Sequence, residues 1–164
     1  MRRPSTSPGC LPQYRRSLQA LIAAMLLGMG AAAALAQPTP VGVWKTVHES
    51  SQQERSLVRI THSDGVLTGV IEKLLDPALP ANPVCAPCSG ERRDKPLLGM
   101  VLIQGVRRSP SDPRLWDGGE ILDPHNGKLF AVRLVLADGG KRLEVRGYLG
   151  TPMVGRSQNW YRVE

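Results

Sequence analysis

Apolar and polar residues alternate along most of the chain after residue 40, which is the period-two pattern of half-buried β-strands. Between residues 128 and 137, for example, Phe130, Val132 and Leu134 fall on one side of the predicted strand and Ala131 on the other. Apolar residues do not recur at the spacing of an amphipathic helix. The alternation predicts strands over residues 41–48, 55–62, 66–75, 98–106, 115–122, 128–137, 141–149 and 157–163.

Short turn sequences separate most of these predicted strands. Ser-Asp-Gly occupies residues 63–65, Asp-Pro-His-Asn-Gly residues 123–127, and Asp-Gly-Gly residues 138–140. Glycine and asparagine adopt positive φ at little steric cost, so these sequences are typical of tight turns between antiparallel strands. A meander of this kind hides its apolar face and its edge strands by closing on itself. The prediction is an all-β protein, a small eight-stranded up-and-down β-barrel.

The first 36 residues have the composition of an export signal. They contain four arginines and no acidic residue, and an apolar run over residues 18–35 ends in Ala34-Leu35-Ala36. Signal peptidase accepts such a small-x-small pattern, and the apolar core is shorter than the ~20 residues that span a membrane. We expect a cleavable signal peptide over 1–36, a single barrel domain over 37–164 and a periplasmic or secreted location. The adjacent Arg15 and Arg16 leave twin-arginine export open beside the general route.

Removal of this segment changes the charge of the protein. The net charge falls from +7 to +3, because four of the 21 basic residues and none of the 14 acidic residues lie in it. A net charge of this size is ordinary for a soluble surface and does not indicate nucleic-acid binding. Six aromatic residues remain, too few for the two aromatic girdles of a membrane barrel. We therefore predict no nucleic-acid partner and no stable membrane insertion after signal cleavage.

One long proline-rich stretch, residues 76–96, contains Cys85 and Cys88. In an oxidising compartment this spacing favours a disulfide bond that fixes the loop. Thiol–disulfide exchange and metal binding are the alternatives. A zinc site needs further ligands, but no other cysteine follows residue 36 and the three histidines are isolated. No metal and no cofactor are predicted.

The chain contains no arrangement typical of an active site. Neither a nucleophile elbow nor a phosphate-binding loop is present, since the Asp-Gly-Gly-Lys sequence at residues 138–141 lacks the required spacing. No catalytic residue is predicted, and the protein is interpreted as non-enzymatic.

Several segments, taken in order along residues 37–164, resemble the bacterial family catalogued as domain of unknown function 2147. They are the Gly-Val-Trp sequence at residues 42–44, the loop around the two cysteines, Gly-Gly-Glu-Ile-Leu-Asp-Pro at 118–124 and Gly-Arg-Ser-Gln-Asn-Trp at 155–160. The resemblance implies a secreted or periplasmic protein with a small calycin-like barrel and no established reaction.

Gly-Val-Trp at residues 42–44 also resembles the Gly-x-Trp sequence that opens lipocalin-like barrels. That resemblance implies that Trp44 closes one end of the barrel beneath a basic side chain from the last strand, either Arg156 or Arg162. The alternative is an ordinary buried tryptophan on the first strand.

The leading hypothesis is a barrel that binds a small apolar or amphipathic ligand in its interior. An eight-stranded barrel has an interior that is either filled by side chains or holds one small ligand. The residues expected to line such a cavity are Phe130, Val132, Leu134, Val145 and Leu149. One alternative is a protein-interaction module of the cell envelope that uses the loop over residues 76–96. Thiol–disulfide exchange at the two cysteines is the third.

Overall fold

The structure is a computed structural model and describes residues 38–164. Eight antiparallel strands follow one another, each paired with the next, and the last pairs with the first to close the barrel. The predicted all-β, eight-stranded barrel is confirmed. The predicted signal peptide, residues 1–36, lies outside the described residues. The strands are β1 (Gly42–Val47), β2 (Glu54–Ser63), β3 (Val66–Leu74), β4 (Val101–Arg108), β5 (Leu115–Asp123), β6 (Lys128–Ala137), β7 (Arg142–Tyr148) and β8 (Gly155–Arg162).

The hairpin between β2 and β3 illustrates why the chain turns where the sequence predicts. Asp64 and Gly65 have φ values of 52° and 79°, and Ser63 pairs with Val66 across the turn. Two consecutive positive φ values give the backbone twist that continues into the two flanking strands. A similarly short connection, the 3-10 turn Asp138–Gly140, joins β6 to β7.

Most strand boundaries lie within one residue of the predicted ones, but β8 begins two residues earlier than predicted, and β4 ends two residues later and begins three residues later. Strand β4 begins at Val101 rather than at residue 98, since the backbone N–H of Leu97 donates to Pro83 O and that of Gly99 to Ile71 O. Strand β7 ends at Tyr148, so Leu149 lies in the β7–β8 turn. These shifts move Leu98 and Leu149 out of the sheet and onto the surface.

The interior of the barrel is filled by packed side chains. A side chain with no accessible surface borders no space that could hold a water molecule. Buried residues come from every one of the eight strands, and Trp44 and Trp160 are the largest of those that are fully buried. The others include Val58, Ile60, Leu67, Ile103, Val106, Val132, Leu134 and Leu143.

The meander places alternate connections at opposite ends of the barrel. The Arg162 end, as we call it, contains the chain before β1, the β2–β3, β4–β5 and β6–β7 connections and the end of β8. The disulfide end contains the β1–β2, β3–β4, β5–β6 and β7–β8 connections. The long β3–β4 connection carries both cysteines, so the two candidate regions identified in the sequence lie at opposite ends.

Candidate functional site at the Arg162 end of the barrel

Trp44 and Arg162 form a stack at the Arg162 end. Trp44 is completely buried, and its Nε1–H donates to the carbonyl oxygen of Pro40 at 2.7 Å. The two residues are register partners on β1 and β8, and the guanidinium carbon of Arg162 lies 4.3 Å from the centre of the Trp44 ring. A cation over the face of an indole is attracted by the ring quadrupole.

The same guanidinium ties two separate backbone segments together, the β6–β7 connection and the segment before β1. Its Nε donates to Gly140 O at 2.6 Å, its Nη1 to Val41 O at 2.7 Å and its Nη2 to Thr39 O at 2.7 Å. Burial lowers the pKa of Arg162 from its ordinary value, but an arginine in a protein remains protonated. The segment before β1 is thereby held across this end of the barrel.

Arg156, the other residue considered for this position, lies elsewhere. It is exposed at the beginning of β8 and pairs with Gly147 of β7, towards the disulfide end. Arg162 is the member of the pair that stands directly opposite Trp44. The two arginines differ by an even number of residues and share a face, so the sequence pattern alone did not separate them.

A cleft of about 300 Å³ opens beside the Trp44–Arg162 stack. Its location follows from the topology, because one wall is the segment before β1 and the rest comes from the ends of β2, β4 and β5. The lining residues are Thr39, Val41, His62, Gly65, Arg108 and Trp116. We call this feature the mouth cleft.

Trp116 lines the mouth cleft, although only 5% of its surface is exposed. Its ring centre lies 5.9 Å from that of His62, with the two planes at 86°, and 5.9 Å from the guanidinium carbon of Arg108. Arg108 is the register partner of Trp116 on the neighbouring strand, and its Nε donates to Pro113 O at 3.0 Å. The indole ring is therefore bordered by an imidazole edge and by a cation.

The Nε1–H of Trp116 has no hydrogen-bond acceptor among residues 38–164, although it is buried. A buried donor without a partner costs about 1–3 kcal/mol, and such groups are uncommon in folded proteins. In contrast, the Nε1–H of Trp44 has Pro40 O as its acceptor. The two tryptophans at this end therefore differ in how well their polar groups are satisfied.

We expect phenylalanine at these two positions to change the free energy of unfolding by different amounts. Trp116→Phe removes an unpartnered donor along with part of a ring, so the free energy of unfolding should change by less than about 1 kcal/mol. Trp44→Phe leaves Pro40 O without its donor and a void in the core, and should cost about 3 kcal/mol. Urea unfolding of both variants measures the difference, and equal losses would mean that the Trp116 donor is satisfied in solution.

The five residues predicted to line an interior cavity are not brought together around one. Val132, Leu134 and Val145 are buried in the packed core. Phe130 is half-buried near the disulfide end, and Leu149 is 60% exposed in the β7–β8 turn. None of the five lines the mouth cleft. Alternation had correctly indicated which residues of β6 and β7 face inward, but the space there is occupied by other side chains.

The predicted disulfide bond between Cys85 and Cys88 is present. Both residues are buried and belong to the hydrophobic core. Backbone hydrogen bonds from Cys85 N to Lys95 O and from Asp94 N to Cys85 O hold the loop in a compact form. The Sγ atom of Cys85 lies 3.5 Å from Pro124 O, so this loop packs on the β5–β6 turn and covers the disulfide end.

Two other classes of site are not found in the part of the chain that the structure describes. Between residues 38 and 164, no three His, Cys, Asp or Glu side chains are grouped so that they could hold a metal ion. Over the same residues, no helix is long and apolar enough to cross a membrane.

A similar barrel occurs among solved structures. One is described as protein HP1028 from the human pathogen Helicobacter pylori, which belongs to the lipocalin family. It superimposes with a TM-score of 0.66 over 77% of this chain and 84% of that one, at 17% sequence identity. At this identity the similarity shows the fold alone, and the fold is that of a lipocalin-like barrel.

The sequence itself matches one family model. That family is described as an uncharacterized protein conserved in bacteria, DUF2147, and the match covers residues 42–162. The chain belongs to this family, as the resemblance of its segments had predicted. No curated protein sequence matches the chain significantly.

Proposed function

We propose that this protein is an exported, non-enzymatic barrel that binds a small apolar or amphipathic molecule in the mouth cleft. The observation that carries the proposal is the cleft itself, which has a volume of about 300 Å³ and is lined by the exposed side chain of Val41 and by the largely buried Trp116. Binding sites for small molecules are concave, largely apolar and provided with a few polar groups, and this volume is at the lower end of their usual range. A periplasmic or secreted location is part of the proposal and is supported by the composition of residues 1–36.

The cleft is a better candidate than the interior of the barrel. Inward-facing side chains such as Val58, Ile103 and Leu134 have no accessible surface, so a ligand would have to displace packed core atoms. At the mouth, by contrast, His62 and Val41 are exposed and border open space.

Two other functions considered from the sequence have less support. The loop around the cysteines contributes Cys85 and Cys88 to the core, which favours a scaffold role over a detachable contact surface. Thiol exchange requires access to a sulfur atom by an attacking thiolate, and both cysteines are at most 1% exposed.

Binding of the neutral fluorescent probe N-phenyl-1-naphthylamine tests the proposal. Val41 lines the cleft and is 39% exposed, so Val41→Gln should leave stability nearly unchanged and weaken probe binding at least threefold by adding a polar group to the apolar wall. Val154→Gln is the matched control, because Val154 is 68% exposed at the disulfide end, and should bind the probe as the parent protein does.

Three results would contradict the proposal. The parent protein would fail to bind the probe, both variants would bind it as the parent does, or Val154→Gln would weaken binding more than Val41→Gln. The last result would move the site to the disulfide end.

A further inference from the structure

We propose that Met153 is a site of reversible oxidation, at which a hydroperoxide converts the thioether to a sulfoxide and a methionine sulfoxide reductase restores it. Met153 lies in the β7–β8 turn, residues 149–154, at the disulfide end of the barrel. The inference goes beyond the proposed function, because the mouth cleft lies at the opposite end and ligand binding takes no part in it.

The accessibility of Met153 is the observation that carries the proposal. Met153 is 90% exposed, more than any other large apolar residue in the part of the chain that the structure describes. Its neighbours in the turn, Val154 and Leu149, are 68% and 60% exposed and contain no sulfur. An oxidant therefore reaches the Met153 side chain directly from solvent, and the barrel does not have to open.

The β7–β8 turn holds Met153 in this exposed position. Arg146 of β7 donates from Nε to Pro152 O at 2.6 Å and from Nη2 to Met153 O at 3.4 Å. The backbone N–H of Val154 donates to Thr151 O at 3.0 Å. These hydrogen bonds are accepted by backbone carbonyl groups, so oxidation of the Met153 side chain leaves them in place. The modified protein should therefore keep its fold.

The other sulfur and indole groups of residues 38–164 are protected by burial. Met100 is the second methionine of this range; it is 8% exposed and belongs to the hydrophobic core. Cys85 and Cys88 are already joined in a buried disulfide bond. The three tryptophans are between 0% and 5% exposed. A limited amount of oxidant should therefore react first at Met153.

The forward step is a two-electron oxidation of sulfur. A lone pair of the Met153 sulfur attacks one oxygen of the hydroperoxide, an S–O bond forms and the O–O bond breaks. The leaving oxygen takes the proton of the transferred hydroxyl group and departs as water or an alcohol, so the hydroperoxide is reduced. In the reverse step, two thiols of the reductase supply two electrons and become a disulfide, and the sulfoxide oxygen leaves as water.

Oxidation should have different consequences at the two methionines. A sulfoxide is polar, so at Met100 it would place an oxygen without a hydrogen-bond donor in the core and destabilise the barrel. At Met153 it makes the β7–β8 turn less apolar and leaves the core untouched. The sulfoxide at Met153 is exposed, and a reductase can therefore reach it in the folded protein.

Peptide mapping after limited treatment with hydrogen peroxide tests the inference. Trypsin is expected to release Met153 within residues 147–156 and Met100 within residues 94–107, so the two sites are measured separately. The oxidised fraction of each peptide, measured by mass spectrometry, should rise at least tenfold faster for Met153 than for Met100. Equal rates, or faster oxidation of Met100, would overturn the assignment.

Two leucine variants identify the first group to be oxidised. Met153→Leu retains an apolar side chain without sulfur and should abolish the fast phase of oxygen uptake, measured as the increase in intact mass. Met100→Leu is the matched control and should retain that phase. A fast phase that survives in Met153→Leu would overturn the proposal. The peptide map of the parent protein requires neither variant, so the inference stays testable if Met100→Leu fails to fold.

Reversal is measured on the folded protein after Met153 alone has been oxidised. Its unfolding temperature should lie within about 2 °C of that of the untreated protein. Methionine sulfoxide reductases that act on the two sulfoxide epimers should together return residues 147–156 to the unoxidised mass. A sulfoxide that the reductases remove only after the protein is unfolded would overturn reversible oxidation at this site, and so would a large fall in the unfolding temperature.

Discussion

Replacing Arg162 with alanine is expected to lower the free energy of unfolding by about 3 kcal/mol. The substitution removes the donors to Gly140 O, Val41 O and Thr39 O and the cation from the face of Trp44. The segment before β1 then loses its two hydrogen bonds from this side chain and keeps the one from Trp44 Nε1–H to Pro40 O, and the buried ring beneath it gains access to water. Urea or thermal unfolding followed by circular dichroism measures the loss.

Arg156→Ala is the control for this prediction. The same residue type is removed from the same strand, but Arg156 is exposed and stands opposite Gly147. Surface substitutions of this kind usually change stability by less than about 0.5 kcal/mol. Similar losses in the two variants would show that the barrel end is not closed by the Arg162 guanidinium.

Gly127→Ala is expected to lower the free energy of unfolding by about 3 kcal/mol, through two separate effects. The residue has a φ of 71°, which disfavours any side chain. A Cβ at this position would also overlap the carbonyl oxygen of Pro87 and lie 2.7 Å from the backbone nitrogen of Cys88. The disulfide loop would have to move away from the β5–β6 turn, and the core residues beneath it would lose their cover.

Gly139→Ala separates these two effects. Gly139 has a similar φ of 64°, but a Cβ there would have no atom within 4 Å. It should therefore incur the backbone strain alone, about 1 kcal/mol. The difference between the two variants measures how much the seating of the disulfide loop contributes to stability. If the free energy of unfolding falls by the same amount in both variants, the disulfide loop does not pack against the β5–β6 turn in solution. That result would support its role as a detachable interaction surface.

Taken together, the two ends of the barrel explain why the mouth cleft is the site proposed for a ligand. The disulfide end is covered by a loop whose cysteines are part of the core. The Arg162 end is crossed by the segment before β1, and the barrel between the two is filled. Beside that segment lies a recess that Val41 and His62 leave open to solvent.

The fold was predictable to a large extent because its determinants are local. Alternation along residues 128–137 specifies β6 at both of its ends, and the Asp-Gly sequence at residues 64–65 specifies a two-residue turn. The exceptions are also instructive. Strand β4 begins three residues later than predicted because its first residues bond to Pro83 O and Ile71 O, which are distant in sequence.

The site was predictable only in part. The sequence pattern identified Trp44 and offered two arginines as its partner, and the register between β1 and β8 selected Arg162. Trp116 was noted only in a count of aromatic residues, and Arg108 was not identified at all. The two residues are neighbours because β4 pairs with β5, and the cleft beside them forms because residues 38–41 cross this end of the barrel. The sequence around Trp116 or Arg108 predicts neither arrangement.

By itself, the sequence therefore determined the order of strands and turns, the closed all-β fold and the family, and it favoured a disulfide between the two cysteines. The tertiary structure decided that the interior is filled, that the disulfide loop belongs to the core and that the open recess lies at the Arg162 end. The physical reason is that alternation indicates which side of a strand a residue faces but does not indicate how much volume remains inside the barrel. A barrel is full when the inward-facing side chains of all eight strands together occupy the volume that the closed sheet encloses. Which side chains share that volume is decided only when the strands have come together in the folded protein.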